Sequence, residues 1–285
     1  MNRIKHHFKR TSGYITGFAL FFAPLALFQR VILLAMGQHY TPTIHTLCFR
    51  IPIEHILDGR FLQRGAVSII GTTMLLAVSL FFGPLFCGKL CPTGALTEYL
   101  SRLLPDRIKI NWSNYIPVPS IRYGFMAGFM AAPFWGGYMA CSYCNYYVFD
   151  LFFNFILAGY SIIAFSSSLL LTILLWFFIF GIFTQGGRGF CNFFCPVGAL
   201  QNLVYFLGSN LPWHRKIIID YDRCVNCGLC IKQCPMTCMG SKHGKVEYSM
   251  HHCILCMECR DVCPHKAISY AKKIERNNIS AEFKE

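Results

Sequence analysis

The sequence predicts a membrane protein in two parts: an all-α four-helix transmembrane bundle joined to a small C-terminal α+β domain. Of the 285 residues, 54% are hydrophobic and only 14% are charged, whereas about a quarter of the residues in a soluble domain are charged. After Pro212 the composition changes from apolar to mixed and charged. We therefore expect a membrane domain at residues 1–211 and a separate domain at residues 212–285.

Four apolar segments are each long enough to cross a hydrocarbon core, which takes about 20 helical residues. They lie near Tyr14–Met36, Gly65–Phe86, Ile121–Ala140 and Ser161–Phe183. The basic residues that flank them place both termini in the cytoplasm, because Lys and Arg concentrate on that side of a membrane. This topology also explains the net charge of +13 without nucleic-acid binding. No cleavable signal peptide is evident, and we expect a multi-pass protein of the bacterial inner (cytoplasmic) membrane, in contact with the lipid bilayer.

Two cysteine runs in the C-terminal domain follow the spacing C-x2-C-x2-C-x3-C-P. This spacing holds three thiolates on one cubane iron–sulfur cluster and sends the fourth to its neighbour. Cluster 1 is expected on Cys224, Cys227, Cys230 and Cys263, and cluster 2 on Cys253, Cys256, Cys259 and Cys234. A pair of zinc sites is the alternative, but it leaves half the cysteines and both prolines unexplained.

The domain is therefore expected to be a ferredoxin-like domain with two [4Fe-4S] clusters. Lys216–Asp220, Lys245–Ser249 and Ala267–Ala271 are predicted as short strands. About 70 residues bury little core, so the clusters are expected to supply much of the stability. Cys238 fits neither run, and we interpret it as a small buried hydrophobic side chain.

An internal repeat places four more cysteines. The pattern Phe-Cys-x3-Cys-Pro-x-Gly-Ala-Leu occurs at residues 86–96 and again at 190–200. Proline fits the first turn of a helix, so Cys91 and Cys195 are expected at helix N-caps, where the helix dipole favours thiolate. Related halves of a membrane protein pack about a pseudo-two-fold axis, which would bring Cys87, Cys91, Cys191 and Cys195 together. The four could hold a third metal centre, cycle as dithiols or only pack; we favour a metal or redox role.

This order of spans and motifs resembles the NapH-type ferredoxin subunit of the periplasmic nitrate reductase system, over nearly the whole chain. The resemblance implies a quinol dehydrogenase subunit. It would pass electrons from the membrane quinol pool through its clusters towards a periplasmic nitrate reductase, with a periplasmic NapG-like iron–sulfur protein as partner. Catalytic residues are not assigned by it.

Two other functions stay open at this stage. The same C-x3-C-P and ferredoxin combination resembles NosR-type and CcoG-type polyferredoxins, which implies maturation of a metalloenzyme or reduction of copper. A membrane tether that docks a soluble ferredoxin is the third hypothesis. The chain lacks the flavin-binding region of the first type and the long C-terminal extension of the second, which favours the NapH type.

Several polar and cysteine side chains within or between the predicted spans have more than one interpretation. Arg30 is either a functional charge or one that reaches the headgroups. Cys48, Cys141 and Cys144 could form a disulfide, bind metal or stay passive. One loop contains a group of titratable side chains: His39, His45, Glu54, His55 and Asp58. This group could accept protons from a quinol, although a solvated loop is the simpler interpretation. No predicted span contains a histidine, which excludes a di-haem cytochrome b.

Overall fold

The computed structural model describes residues 2–22, 25–35, 66–135, 143–158 and 167–272, together with residues 37, 48 and 50. The α-helices, numbered in chain order, are α1 (Asn2–Phe21), α2 (Leu27–Ala35), α3 (Ala66–Phe82), α4 (Leu85–Lys89), α5 (Pro92–Leu103), α6 (Val118–Ala131), α7 (Asn145–Ala158), α8 (Ser167–Ile173), α9 (Gly189–Phe193), α10 (Pro196–Gly208), α11 (Leu229–Gln233) and α12 (Glu258–Val262). A π-helix, Leu174–Ile182, continues α8.

The prediction of a four-helix transmembrane bundle is wrong. Within the described ranges, no helix combines the length and the apolar character that crossing a membrane requires. The predicted multi-pass inner-membrane location with both termini cytoplasmic is wrong on the same finding.

In each predicted span, a change of backbone conformation ends or interrupts the α-helix. The first is split between α1, whose N-terminal half is basic, and α2, with Ala26 at φ +39° between them. The second holds the 17-residue α3, which stops at Gly83 with φ +74°. The third holds the 14-residue α6, followed by a 3-10 turn at Ala132–Trp135. The fourth changes from seven α-helical to nine π-helical residues.

The C-terminal part contains two small antiparallel sheets. Strand β1 (Arg215–Ile219) pairs with β4 (Ile268–Lys272), and β2 (Met239–Lys242) pairs with β3 (Lys245–Tyr248). The three predicted strands are confirmed as β1, β3 and β4, each within one residue. Strand β2 was not predicted, because Met239–Lys242 has no alternating apolar pattern.

The backbone of this part repeats at an interval of 29 residues. Positive φ values occur at three pairs of equivalent positions: Asn226 and Leu255, Gly228 and Met257, Thr237 and Lys266. Gly228 and Met257 are the N-caps of α11 and α12. Leucine, methionine and lysine rarely adopt this conformation, which costs about 1–3 kcal/mol each. Such turns direct successive N–H groups into one concavity that favours an anion, and here each concavity lies beside a cysteine run.

Side-chain hydrogen bonds attach the C-terminal part to the helical part. Asn202 on α10 donates from Nδ2 to the carbonyl oxygens of Met250 (2.7 Å) and Cys253 (2.8 Å). Tyr270 on β4 donates to the carbonyl oxygen of Phe82 at 2.8 Å. One cluster of buried side chains runs from Phe22 to Ile268. The predicted domain boundary after residue 211 stays a prediction, and the buried core crosses it.

Gly88 on α4 allows the closest approach between the two parts. A Cβ atom added there would lie 2.1 Å from the carbonyl oxygen of Ile254. We expect Gly88→Ala to lower the free energy of unfolding by about 1–3 kcal/mol, the usual cost of overpacking, as measured by anaerobic urea unfolding. Gly124→Ala on α6 is the control, because nothing lies within 4 Å of its added Cβ. Equal stabilities of the two variants would contradict this close packing.

Candidate functional site: three groups of cysteines and an apolar cavity

The four cysteines predicted for cluster 1 lie around one small cavity. Cys224, Cys227, Cys230 and Cys263 all line it. Cys227 is exposed to solvent, whereas Cys230 at α11 is buried. Val225 and Leu229, which also line this cavity, are exposed, as is Tyr221, whose hydroxyl donates to the carbonyl oxygen of the lining residue Val246. The arrangement leaves one edge of this site open to solvent.

The four cysteines predicted for cluster 2 lie around a second, buried cavity. Cys234, Cys253, Cys256 and Cys259 line it, and each is less than a tenth exposed. Cys238 lies there as well, with its Sγ 3.3 Å from the Sγ of Cys234. The hydrogen bond from Cys238 lowers the pKa of Cys234 to about 7 against the effect of burial. Cys238 is thus buried, as expected, but it also contacts a predicted cluster ligand.

The cysteines of the internal repeat also meet. Cys87, Cys91, Cys191 and Cys195 line a third cavity together with Arg122, Arg188 and Tyr146. The predicted N-cap positions are confirmed: Cys91 caps α5 and Cys195 caps α10, each followed by proline. The backbone N–H of Gly198 donates to the Sγ of Cys195 at 3.4 Å. The side-chain amide of Gln201 donates to the Sγ of Cys87 at 3.2 Å.

Burial dominates the ionisation of these thiols. It raises the pKa of Cys195 to about 11, although the Gly198 N–H and the Arg122 guanidinium act in the opposite direction. Burial also raises the pKa of Cys87 and of Cys191. The helix N-terminus favours the Cys195 thiolate as expected, but burial has the larger effect on its pKa. A bound metal would have to displace the protons, as metals do at thiolate sites.

Each repeat has a glycine that admits an arginine to this cavity. A Cβ on Gly94 would lie 2.7 Å from Nη1 of Arg188, and a Cβ on Gly198 would lie 3.0 Å from Nη2 of Arg122. The two glycines hold the same position in the repeated motif. Arg188 donates from Nη1 to the carbonyl oxygen of Cys87 at 2.9 Å. Both guanidinium groups are about 1% exposed, so the cavity has a positive wall on each side.

A buried ion network connects this cavity to the cluster 2 region. Glu98 on α5 pairs with Arg188 (2.6 Å), Arg10 (2.7 Å) and Arg102 (2.7 Å). Arg10 on α1 also pairs with Glu258 (2.5 Å), which lies between Met257 and the cluster 2 cysteine Cys259. The surrounding guanidinium groups outweigh burial and hold the pKa of Glu98 at about 2.

A larger cavity of about 670 Å³ shares Cys256 and Met257 with the cavity of the cluster 2 cysteines. Its walls are mainly apolar and aromatic, and four basic side chains and one tyrosine reach it. Cys256, Met257, Phe82, Phe86 and Lys89 are among the residues that line it. Ligand cavities in proteins span about 300–1,000 Å³ and combine apolar walls with a few polar groups. This cavity therefore has the size and lining of a small-molecule site, with a cluster 2 cysteine in its wall.

Comparison with known proteins identifies the chemistry of these cysteines. A 4Fe-4S dicluster domain matches residues 216–280, and a 4Fe-4S binding domain matches residues 65–111 and 168–216. The C-terminal part is 39% identical over 57 residues to a ferredoxin of Methanothermococcus thermolithotrophicus, which covers 19% of this chain and 95% of the ferredoxin. The chain belongs to the 4Fe-4S ferredoxin family. It is an iron–sulfur electron-transfer protein.

Relatives of this ferredoxin extend over most of its length. The ferredoxin-type protein NapH of Haemophilus influenzae is 24% identical, with 74% of this chain and 71% of NapH covered. The YccM electron transport protein of Escherichia coli is 25% identical, with 73% of this chain and 57% of YccM covered. The resemblance to NapH-type ferredoxins predicted from the motifs is thereby confirmed. No solved structure matches the chain.

Each of the two C-terminal cavities of this ferredoxin offers the four thiols that a cubane cluster binds. Across the described part of the chain, no three His, Cys, Asp or Glu side chains converge as they would around one ion. A cubane cluster needs a wider arrangement, because each thiolate binds a different iron. Four cysteines around one cavity provide it. Cluster 1 would be held by the Cys224 group and cluster 2 by the Cys253 group, as the spacing predicts.

Other predicted positions contribute less to these sites. Arg30 is exposed on α2. Cys144 lies near enough to Cys48 for that thiol to reinforce the rise in the Cys144 pKa that burial causes. A further group lies outside the described residues: His39, His45, Glu54, His55, Asp58 and Cys141.

Four side chains of the site were missed from the sequence: Arg122, Arg188, Glu98 and Asn202. Arg188 was considered only as one of the basic residues that flank the predicted spans. The repeated glycines Gly94 and Gly198 were the available signal, because a glycine fixed within a repeated motif indicates a close approach.

Proposed function

We propose that this ferredoxin is the electron-transfer subunit of a quinol dehydrogenase. The quinol would bind in the 670 Å³ cavity, and electrons would pass through cluster 2 and then cluster 1 to an iron–sulfur partner of the NapG type. The observation that carries the proposal is that Cys256 is both a predicted cluster 2 ligand and part of the cavity wall.

The cavity suits an aromatic diol with an apolar tail. Phe21, Phe28, Phe82 and Phe86 supply aromatic faces for stacking. Lys9, Arg10, Lys89 and Arg260 bring donors to the same cavity, which would orient the two oxygen atoms of the ring. Tyr270, whose hydroxyl donates to the carbonyl oxygen of Phe82, fixes the wall beside β4.

The overall step balances without another reagent. Oxidation of the quinol breaks two O–H bonds and gives a quinone, two protons and two electrons. Each [4Fe-4S] cluster, when bound, accepts one electron. The protons leave to water at the open side of the cavity. The chain's part is to hold the ring beside Cys256 and to keep cluster 2 away from solvent.

The exit for electrons is proposed at cluster 1. Its site has the exposed Cys227, and Tyr221, Val225 and Leu229 are each more than 40% exposed. An exposed apolar patch of this kind is typical of a protein-docking surface. The similarity to the ferredoxin-type protein NapH supports an iron–sulfur acceptor of the NapG type at this surface.

Filling the cavity tests the proposal. Val78 on α3 lines it, whereas its neighbour Ala77 is exposed and does not. We expect Val78→Trp to slow cluster reduction by menadiol at least tenfold, while dithionite still reduces the clusters fully. Ala77→Trp, the control, should leave the menadiol rate unchanged. The measurement is the bleaching of cluster absorbance in stopped flow under anaerobic conditions. Equal menadiol rates in both variants, or no reduction of the unmodified protein by menadiol, would contradict a quinol site here.

A further inference from the structure

We propose that Cys87, Cys91, Cys191 and Cys195 bind a third [4Fe-4S] cluster, with Arg122 as its buried counter-cation. The matched 4Fe-4S binding domain spans both copies of the motif but assigns no ligand. The structure places the four cysteines around one enclosed cavity at the junction of the two repeats.

Arg122 is the observation that points to an anion. It lies on α6, is 1% exposed, and its Nη1 donates to the backbone oxygens of Cys191 (2.5 Å) and Asn192 (2.9 Å). Its Nη2 donates to Oδ1 of Asn202 (2.7 Å), and its buried Nε has no hydrogen-bond partner among the described residues. Four neighbouring groups would stabilise the Arg122 charge if they were ionised: Cys195, Cys87, Tyr123 and Cys191. A buried cation without a paired anion is strongly unfavourable.

The charges balance once a cluster is bound. Four thiolates around an oxidised cubane carry a net charge of about −2. Arg122 supplies one positive charge. The neighbouring network has three arginines, Arg10, Arg102 and Arg188, and two glutamates, Glu98 and Glu258. Its net charge of one supplies the second positive charge. Neutral thiols alone would leave both cationic groups uncompensated.

The surroundings also match those of a cluster thiolate. Gln201 and the Gly198 amide donate to two of the four sulfur atoms, and hydrogen bonds to sulfur are one means by which proteins set cluster potentials. A dithiol pair would not explain why all four thiols share one cavity. Simple packing would not explain the two buried guanidinium groups.

The third cluster would lie next to cluster 2. Ile254, which adjoins the cluster 2 ligand Cys253, lines the cavity of the four repeat cysteines. Asn202 accepts from Arg122 and donates to the carbonyl oxygen of Cys253. The new centre would thus adjoin cluster 2, and the three clusters would form one relay.

Iron and acid-labile sulfide per chain test the assignment in anaerobically purified full-length protein. We expect about 12 iron atoms, against about 8 for two clusters. Cys195→Ser should lower the content by about four, whereas Cys144→Ser, at a half-buried cysteine outside the four, should leave it unchanged. About 8 iron atoms in the unmodified protein, with no loss in Cys195→Ser, would overturn the proposal.

The role of Arg122 has a readout that does not depend on cysteine replacement. In a redox titration followed by electron paramagnetic resonance, Arg122→Gln should lower the midpoint potential of one cluster signal and leave the other two in place. Arg122→Lys, which keeps the charge, should restore most of the shift. A titration in which no signal moves, or in which all signals move equally in both variants, would overturn the assignment of Arg122.

Discussion

Replacing Glu98 with glutamine is expected to lower the free energy of unfolding by about 3–5 kcal/mol, the usual cost of breaking a buried ion pair. Glu98 is fully buried on α5 and accepts from Arg10, Arg188 and Arg102. The glutamine side chain would keep the shape but not the charge, which would leave two almost fully buried guanidinium groups poorly compensated. Urea unfolding at neutral pH under anaerobic conditions measures the loss.

The Glu98 carboxyl group also makes the stability of the fold depend on pH. The arginines outweigh burial and lower the pKa of Glu98 from 4.5 to about 2. Its ionised form therefore stabilises the fold fully above pH 4.5, and this contribution is lost as the pH falls towards 2. Glu98→Gln should remove that part of the acid sensitivity. Asp106→Asn is the control, because Asp106 is exposed and forms a surface ion pair with Lys109; we expect a change below about 1 kcal/mol. Similar losses in both variants would contradict the importance of the buried network.

Removal of iron is expected to unfold the region from β1 to β4. Its two sheets have only two strands each, and a two-stranded sheet is marginally stable at best. The left-handed residues Leu255, Met257 and Lys266 add strain, which the bound clusters offset. Chelation after oxidation should abolish the strand signal in circular dichroism and expose Arg215–Lys272 to trypsin.

Cysteine variants make the same prediction site by site. Cys253→Ser removes a predicted cluster 2 ligand and should cause the same proteolysis. Cys238→Ser keeps all eight ligands although it alters a residue in the same cavity, and it should resist trypsin like the unmodified protein. An iron-free protein that stays resistant would show that packing alone holds this region.

Local chemistry made part of the structure predictable. The proline after Cys91 and after Cys195 fixes the start of a helix, and both N-caps are found where expected. The spacing of the cysteine runs groups the ligands because it sets how far each loop can reach. The helical segments failed because a hydropathy window does not detect a backbone change, such as Gly83 at φ +74° or the π-helix from Leu174. Arg122 and Asn202 were missed because their roles depend on contacts about 70 and 50 positions away in the chain.

The direct contacts made by Asn202, Tyr270 and Gly88 have a consequence for how electrons are delivered. An electron-carrier domain on a flexible linker can move between donor and acceptor, and its turnover then depends on how fast the domain diffuses. This carrier is clamped to its helices at several points. Its clusters should therefore stay at fixed positions during electron transfer. The binding and dissociation of the partner, rather than movement within the chain, should limit the rate of transfer.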